Sequence, residues 1–222
     1  MTWTRHFVYR AVQTRTTWKF RIGLTSLIVL AAWLTSGWWM AAIARSLVCD
    51  SSGAPSDAIL IENFDPGYLP FERARQLRTA GMASRVLVPV PRAGTTSEMQ
   101  PVQRALSEVL ASMSRLGDYE TVPFREVEPI SLNAARDIQR FLEQEHIRSV
   151  IIVSPLFRSR RSQLVYEATL GRAGIVVRCE PGKEPHNINS WTDSWHGIQN
   201  VAEQWVKLQY YRFYVLPFHA GS

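Results

Sequence analysis

From residue 57 onward, short apolar runs rich in β-branched residues alternate with longer segments whose apolar residues recur at helical spacing. The short runs predict strands at residues 57–62, 85–90, 119–124, 149–153 and 174–179. The longer segments predict helices at residues 69–80, 99–116, 131–146, 159–170 and 194–211. Strands that alternate with helices pair in parallel, and the helices cover both faces of the sheet. The pattern therefore predicts an α/β domain over residues 57–218 with a Rossmann-like, mainly parallel sheet.

A different pattern precedes this domain. Residues 22–43 contain no charged side chain, and this length is enough for a helix to cross a bilayer core of roughly 30 Å. We therefore expect one transmembrane helix over residues 22–47, followed by a linker over residues 48–56. Basic residues cluster before the span, which places residues 1–21 in the cytoplasm. This topology predicts a single-pass protein of the inner (cytoplasmic) membrane with a periplasmic, extracytoplasmic domain.

Three other kinds of N-terminal segment are alternatives to an anchor. A lipoprotein needs a small residue immediately before Cys49, and Val48 fills that place. A cleavable signal peptide has a shorter apolar region and a small-residue cleavage site, and residues 41–45 offer only a weak one. A mitochondrial transit peptide is rich in arginine and poor in acidic residues, like residues 1–21. The long apolar span directly after these residues favours a membrane anchor.

The charge distribution bears on the class of partner. The formal net charge of +6 would suggest nucleic acid if it were spread over the chain. Residues 1–48, however, contain six basic residues and no Asp or Glu, so the rest of the chain is formally neutral. This distribution argues against nucleic acid as a partner.

Cysteine, histidine and glycine patterns bear on cofactors. Cys49 and Cys179 are the only cysteines, and the sequence leaves open whether they pair or remain free thiols. The histidines are scattered without metal-ligand spacing, so we expect no metal site. The chain lacks GxGxxG after the first strand, GxxxxGK[ST] and GxSxG, which weakens dinucleotide, NTPase and α/β-hydrolase interpretations. The cofactor is therefore unknown at this point.

The strongest candidate site follows the fourth predicted strand, where the apolar run meets Ser154 and Pro155. Arg158, Arg160 and Arg161 come next, near the start of a predicted helix and at the carboxyl edge of the sheet, where open α/β folds bind ligands. Arginines in this position suit an anion such as phosphate. Since adjacent helical residues point about 100° apart, we expect at most two of the three arginines to face one ligand. The alternative is a solvated basic turn.

Several motifs, in their order along the chain, resemble the YdcF/SanA/ElyC family of bacterial domains. Residues 153–162, VSPLFRSRRS, resemble the family stretch V-T-S-x-F-H-x-x-R-A, and residues 128–133, EPISLN, resemble E-x-x-S-x-N-T. The similarity covers roughly residues 57–217. It implies a Rossmann-like fold and a membrane-anchored protein that acts in cell-envelope or extracellular-polysaccharide biogenesis.

The departures from the family pattern bear on chemistry. Arg158 stands where the family has His, Ala134 where it has Thr, and residues 62–67, ENFDPG, replace its glycine-rich turn. Arginine is always charged, whereas histidine transfers protons near neutral pH, so the change favours binding over catalysis. We expect a phosphate-bearing lipid or sugar ligand. The alternatives are a hydrolase or transferase acting on a phosphate- or glycan-linked lipid, and a non-catalytic subunit of a polysaccharide-assembly complex.

Further polar residues are candidates for the ligand site. Glu62, Asn63 and Asp65 follow the first strand and are expected to form a polar wall, although such residues also build turns unaided. Ser154 and Asn133 are candidate ligand contacts through the family resemblance.

Glu98 and Glu128 are the candidate catalytic residues, because two converging carboxylates can serve as general acid and base. Glu98 also precedes a predicted helix, where a negative charge is favourable for structural reasons alone.

The C-terminal region, residues 191–218, is rich in aromatic side chains. We expect most of them to pack in the core on the sheet. Contact with a membrane or a glycan is the alternative.

Overall fold

The chain forms two compact units in the computed structural model, which describes residues 16–64, 67–92, 100–184 and 186–219. One unit ends at Met40 and the other begins at Ala41.

The N-terminal apolar segment forms two helices, and the single helix predicted over residues 22–47 is wrong in this respect. Helix α1 spans Trp18–Leu34 and α2 spans Ser36–Ser46, with a break at Thr35. Thr35 Oγ1 donates a hydrogen bond to the Ala31 carbonyl oxygen at 2.8 Å, and such side-chain bonds bend helices. In the described part of the chain no single helix is long and apolar enough to cross a membrane. The pair of helices α1 and α2, bent by 57° at the break, is long and apolar enough for a membrane span only when both helices are counted together.

The second unit contains a five-stranded sheet. Its strands are β1 (Ala58–Ile61), β2 (Arg85–Pro91), β3 (Glu120–Phe124), β4 (Ser149–Ser154) and β5 (Val176–Pro181). All neighbouring strands are parallel, in the order β3-β2-β1-β4-β5. In the central pair, Ala58 lies opposite Val150 and Ile61 lies opposite Val153. The predicted parallel sheet is confirmed.

Helices connect the strands and cover both faces of the sheet, as predicted. They are α3 (Tyr68–Thr79), α4 (Gln100–Ser114), α5 (Ile130–Gln144), α6 (Ser159–Thr169), α7 (Trp195–Tyr210) and α8 (Leu216–His219). A π-helical turn, Tyr211–Val215, joins α7 to α8.

Alternation along the central strands divides the core into two layers, since successive strand residues point to opposite faces. Ile59 and Ile151 pack with α3 and α4 on one face. Leu60 and Ile152 pack with α5, α6 and Tyr211 on the other face. Because both faces are covered, β1 and β4 are continuous apolar runs rather than alternating ones.

The segment predicted as a linker, residues 48–56, is fastened to the α/β unit. A disulfide joins Cys49 to Cys179 on β5, so the two cysteines pair. Ala44 and Leu47 are also buried. The compact unit therefore begins well before residue 57.

The C-terminal aromatic residues are mostly exposed, contrary to the expectation that they pack in the core. Trp191 and Tyr211 are buried, but the other six are exposed: Trp195, Trp205, Tyr210, Phe213, Tyr214 and Phe218. The inward positions of α7 are taken by Gly197, Val201, Gln204 and Leu208. The small and polar members of this set leave the large rings on the outer side of the helix.

Candidate functional site

The central strands β1 and β4 lie side by side, and the chain leaves them toward opposite faces of the sheet. Such a switch point opens a crevice at the carboxyl ends of the strands, where ligands of open α/β folds bind. Glu62 and Asn63 follow β1 at this edge. Ser154 ends β4 and is followed by a short 3-10 helix, Leu156–Arg158. The predicted site therefore lies at the switch point.

Two clefts of the α/β unit adjoin this edge, and Arg158 lines both. The first, named here the arginine cleft, has a volume of about 430 Å³ and is lined by residues that include Glu126, Glu128, Ser131, Arg158, Arg161, Lys207, Tyr210 and Tyr211. The second, named the histidine cleft, has a volume of about 480 Å³ and is lined by residues that include Arg158, Gly182, Glu184, His186, His196, Asn200 and Glu203.

Arg161 is a buried cation that lines the arginine cleft, with only 7 % of its surface exposed. Its guanidinium carbon lies 5.4 Å from the centre of the Tyr211 ring, a cation–π contact. Among the residues that the structure describes, Arg161 forms no ion pair and its guanidinium donates no hydrogen bond. Burial lowers the pKa of Arg161, and the carboxylate of Glu62 opposes this change. A buried guanidinium whose N–H groups donate no hydrogen bond within the described residues favours the binding of an anion.

The other two arginines of the predicted trio differ in position. Arg158 is buried and lines both clefts. Arg160 points elsewhere, because its Nη1 donates to Gln163 Oε1 at 3.0 Å and its backbone N donates to the Leu47 carbonyl oxygen at 3.0 Å. Two of the three arginines thus share one cleft, the maximum that helical geometry allows.

Glu62 and Asn63 lie behind the clefts rather than in their walls. Glu62 is buried and accepts a hydrogen bond from the Ser162 hydroxyl, so it acts on the site through its charge beside Arg161. The Nδ2 of Asn63 donates to Ser107 Oγ at 2.8 Å. The predicted polar wall is therefore a support that ties β1 to α4 and α6, and Asp65 lies outside the described residues.

Ser154 is fully buried, and its hydroxyl reaches neither cleft. Its carbonyl oxygen accepts a hydrogen bond from the backbone N of Gly182 at 2.8 Å. A Cβ atom on Gly182 would lie only 3.2 Å from this oxygen, so the small size of glycine permits the approach. The predicted ligand contact is instead a backbone support for a wall of the histidine cleft.

Of the two candidate catalytic carboxylates, Glu128 is exposed and lines the arginine cleft. Glu98 lies outside the described residues, so their convergence stays a prediction. Glu126 lines the same cleft as Glu128.

Asn133 lines neither cleft, contrary to its prediction as a ligand contact. Its Nδ2 donates to the carbonyl oxygens of Val127 at 3.0 Å and Glu128 at 3.1 Å. These bonds order the loop that carries Glu128. Ser131 lies inside α5, whose N-cap is Pro129, and it lines the arginine cleft.

Glu184 is an acidic group of the histidine cleft with a raised pKa. Burial raises its pKa, while the Leu156 backbone N–H and the charge of Arg158 counteract part of this rise. Asn200 Nδ2 donates to Glu184 Oε2 at 3.2 Å. A carboxyl group with a raised pKa keeps its proton to a higher pH than usual and can give up that proton in a reaction.

The imidazole groups of His186 and His196 line the same cleft as Glu184. His186 Nε2 lies 3.1 Å from the hydroxyl oxygen of Ser194, which also accepts a hydrogen bond from the Gly197 backbone N and caps α7. Sequence reasoning missed this group because residues 181–189 are irregular and carry no motif. The available signal was a polar Pro- and Gly-containing segment directly after a strand at the carboxyl edge.

An exposed ion pair separates the two clefts. Lys207 lines the arginine cleft and donates to Glu203, which lines the histidine cleft. This hydrogen bond lowers the pKa of Glu203.

Within the described ranges, no group of three or more His, Cys, Asp or Glu side chains is placed to hold a metal ion. No protein-family model, curated protein or solved structure matches this chain.

Proposed function

We propose that this protein binds a phosphate-bearing anion in the arginine cleft, and that it does so as a membrane-anchored extracytoplasmic domain. The observation that carries the binding proposal is Arg161, a buried guanidinium that lines the cleft beside Arg158 without an ion pair of its own among the described residues. Burying a cation is costly, and the nearby carboxylate of Glu62 offsets only part of this cost, because the pKa of Arg161 is still lowered. An incoming phosphate therefore gains a charge-assisted contact with the Arg161 guanidinium.

The disulfide supports the proposed compartment. The Cys49–Cys179 bond is typical of proteins in oxidising environments outside the cytoplasm. The basic, acid-free segment before the apolar residues 22–43 favours an N-terminus in the cytoplasm. The inner membrane as location, and a YdcF-like role in envelope or extracellular-polysaccharide biogenesis, follow from this topology together with the family resemblance.

The histidine cleft supports a second candidate function, hydrolysis or group transfer on a phosphate- or glycan-linked lipid. The specific observation is Glu184, whose pKa is raised by burial in a cleft that shares Arg158 with the anion site. A carboxyl group with a raised pKa is suited to donate a proton to a leaving group. In this scheme Arg158 holds the anion while Glu184 transfers the proton.

Isothermal titration of the full-length protein in detergent, with its disulfide intact, tests the binding proposal. The ligands are inorganic phosphate, sugar phosphates, nucleotide-sugars and a soluble isoprenyl phosphate. Arg161→Gln is expected to weaken binding about 10- to 100-fold, because a hydrogen bond to a charged group contributes about 1.5–3 kcal/mol. Arg161→Lys, which keeps the charge, should retain part of the affinity.

Arg160→Gln is the matched control, because it removes the same charge from the adjacent residue, which lines neither cleft. Its affinity should equal that of the wild type. Equal affinity in Arg161→Gln would remove the arginine cleft from consideration. If the folded protein binds none of these anions, the non-catalytic role in a polysaccharide-assembly complex replaces ligand binding, and pull-down from membranes becomes the next measurement.

A further inference from the structure

The outer side of the C-terminal helical segment, from α7 to α8, carries many large apolar side chains where a surface helix is normally polar. We name this surface the aromatic face and define it by its exposed apolar residues: Trp195, Ile198, Trp205, Val206, Tyr210, Phe213, Tyr214 and Phe218. Trp195, Phe213 and Phe218 are 71 %, 67 % and 72 % exposed. Exposed large apolar side chains in this number on one helical segment indicate a site that another surface covers.

The rings of the aromatic face are arranged in order along the helix. Tyr210 stacks on Tyr214 with ring centres 5.4 Å apart, and Tyr214 contacts Phe218 with ring centres 5.7 Å apart. In the described part of the chain, the indole N–H groups of Trp195 and Trp205 have no hydrogen-bond acceptor. Rings that combine apolar surface with available polar atoms suit the boundary between lipid and water.

The charges around the C-terminal part of the aromatic face, from Trp205 to Phe218, are basic. Residues 204–219 contain no Asp or Glu, and Glu203 is already paired with Lys207. The guanidinium carbon of Arg212 lies 5.6 Å from the centre of the Phe213 ring, beside the exposed aromatic surface. Apolar rings flanked by cations are typical of helices that lie in the interface of a bilayer with anionic headgroups.

The α/β unit begins very close along the chain to the N-terminal apolar segment. The uncharged stretch ends at Ile43, and the next residue, Ala44, is already buried. Leu47 is buried and Cys49 is held by the disulfide. If residues 22–43 are anchored in a bilayer, the α/β unit begins within a few residues of that anchor along the chain.

We propose that the aromatic face binds the surface of the lipid bilayer that anchors the N-terminal segment. Tyr210 belongs to the aromatic face and also lines the arginine cleft, as does the neighbouring Lys207. Docking therefore brings the anion site to the level of the lipid headgroups, so its phosphate-bearing ligand is a membrane lipid. This inference rests on the proposed anchor and deepens the proposed binding function by naming the ligand class.

The test uses nitroxide spin labels on the full-length protein, reconstituted in vesicles that contain anionic phospholipid. Single cysteines at Val206→Cys and Phe213→Cys report on the aromatic face. Ser112→Cys is the control, because Ser112 is exposed on α4, which packs on the opposite face of the sheet. Labels at 206 and 213 are expected to collide several-fold more with dissolved oxygen, relative to a water-soluble nickel complex, than the label at 112. Ile28→Cys reports on the anchor in the same way.

Equal access of the nickel complex to the labels at 206, 213 and 112 would overturn the docking proposal. Dipolar broadening between labels at 213 that disappears on dilution with unlabelled protein would also overturn it, because a second copy would then cover the face. A water-exposed label at Ile28 would instead refute the anchor. Phosphate binding by Arg161 is measured in detergent without a bilayer, so its failure is distinguishable from failure of docking.

Discussion

The arginine cleft and the histidine cleft share Arg158 but differ in the kind of group that surrounds it. The arginine cleft adds a second buried guanidinium, Arg161, and the ring of Tyr211. The histidine cleft adds Glu184, whose pKa is raised by burial, and two imidazole groups. A permanently charged neighbour serves to hold an anion, whereas titratable neighbours serve to move protons. Arg158 thus lies between two clefts whose side chains suit different kinds of chemistry.

The largest expected effect comes from a substitution on α7 that alters both clefts, because α7 forms a wall of each. A Cβ atom on Gly197 would lie 2.2 Å from the carbonyl oxygen of Trp191, a backbone atom that cannot move aside easily. Gly197→Ala is therefore expected to lower the free energy of unfolding by about 1–3 kcal/mol or more, and to weaken anion binding as α7 shifts. Urea unfolding measures the stability.

The matched control for this change is Gly171→Ala, because a Cβ atom at Gly171 meets nothing within 4 Å. Its stability should stay near that of the wild type. Wild-type stability in Gly197→Ala would mean that α7 does not press against Trp191, and the shared wall would have to be reconsidered.

An effect of intermediate size distinguishes the histidine cleft from the arginine cleft, because the raised pKa of Glu184 makes stability depend on pH. The pKa of Glu184 is raised from its usual 4.5, so the folded state holds a proton that the unfolded state releases. The contribution of Glu184 to stability is therefore fully present below about pH 4.5 and is lost as pH rises through the raised pKa, by at most about 1.4 kcal/mol per pH unit. Glu184→Gln should remove this decline of stability with pH, and it should also remove any turnover. Anion affinity in the arginine cleft should stay the same. Thermal unfolding at a series of pH values measures the pH dependence of stability.

Glu143→Gln, on the outer surface of α5, is the control for this pH experiment and should keep the wild-type profile. A Glu184→Gln profile that matches the wild type would show that Glu184 ionises normally. In that case the proton-transfer role of the histidine cleft would be lost.

The smallest effect concerns the ion pair between the clefts. Both partners are about half exposed, so Glu203→Gln should change stability by no more than about 0.5 kcal/mol. It frees Lys207 to attract the anion, so affinity in the arginine cleft should rise about twofold at low salt. Titration at high salt is the control, because screening should abolish the gain. A loss of affinity at low salt would contradict the assigned role of Lys207.

The arginines and the histidine-cleft residues differ in how well the sequence predicted them. Arg158 and Arg161 lie at the end of a strong strand signal, so the regular turn from strand to helix placed them at the carboxyl edge in advance. Glu184 and His186 lie in an irregular segment, where no periodicity relates a residue to a face. Their positions depend on contacts with the 3-10 helix Leu156–Arg158 and with Ser194 and Asn200 at the start of α7.

For Asn133 and Ser154 the motif resemblance predicted a ligand contact, but the structure directs both side chains toward the protein instead of a cleft. Asn133 donates to the loop before α5, and Ser154 is closed off by the backbone of Gly182. Motif resemblance predicts which residues gather at an edge, but hydrogen bonding to nearby backbone decides which of them remain available to a ligand.

The amino-acid sequence by itself determined the parallel α/β architecture, because apolar periodicity is a local property that each strand and helix carries alone. It also determined the charge asymmetry and the arginines at the sheet edge. Tertiary structure alone decided that Cys49 reaches Cys179 and that Arg160 turns away from the cleft. It also decided that the aromatic face of α7 and α8 points outward. These outcomes depend on which surfaces meet across large sequence separations, and no local pattern encodes that choice.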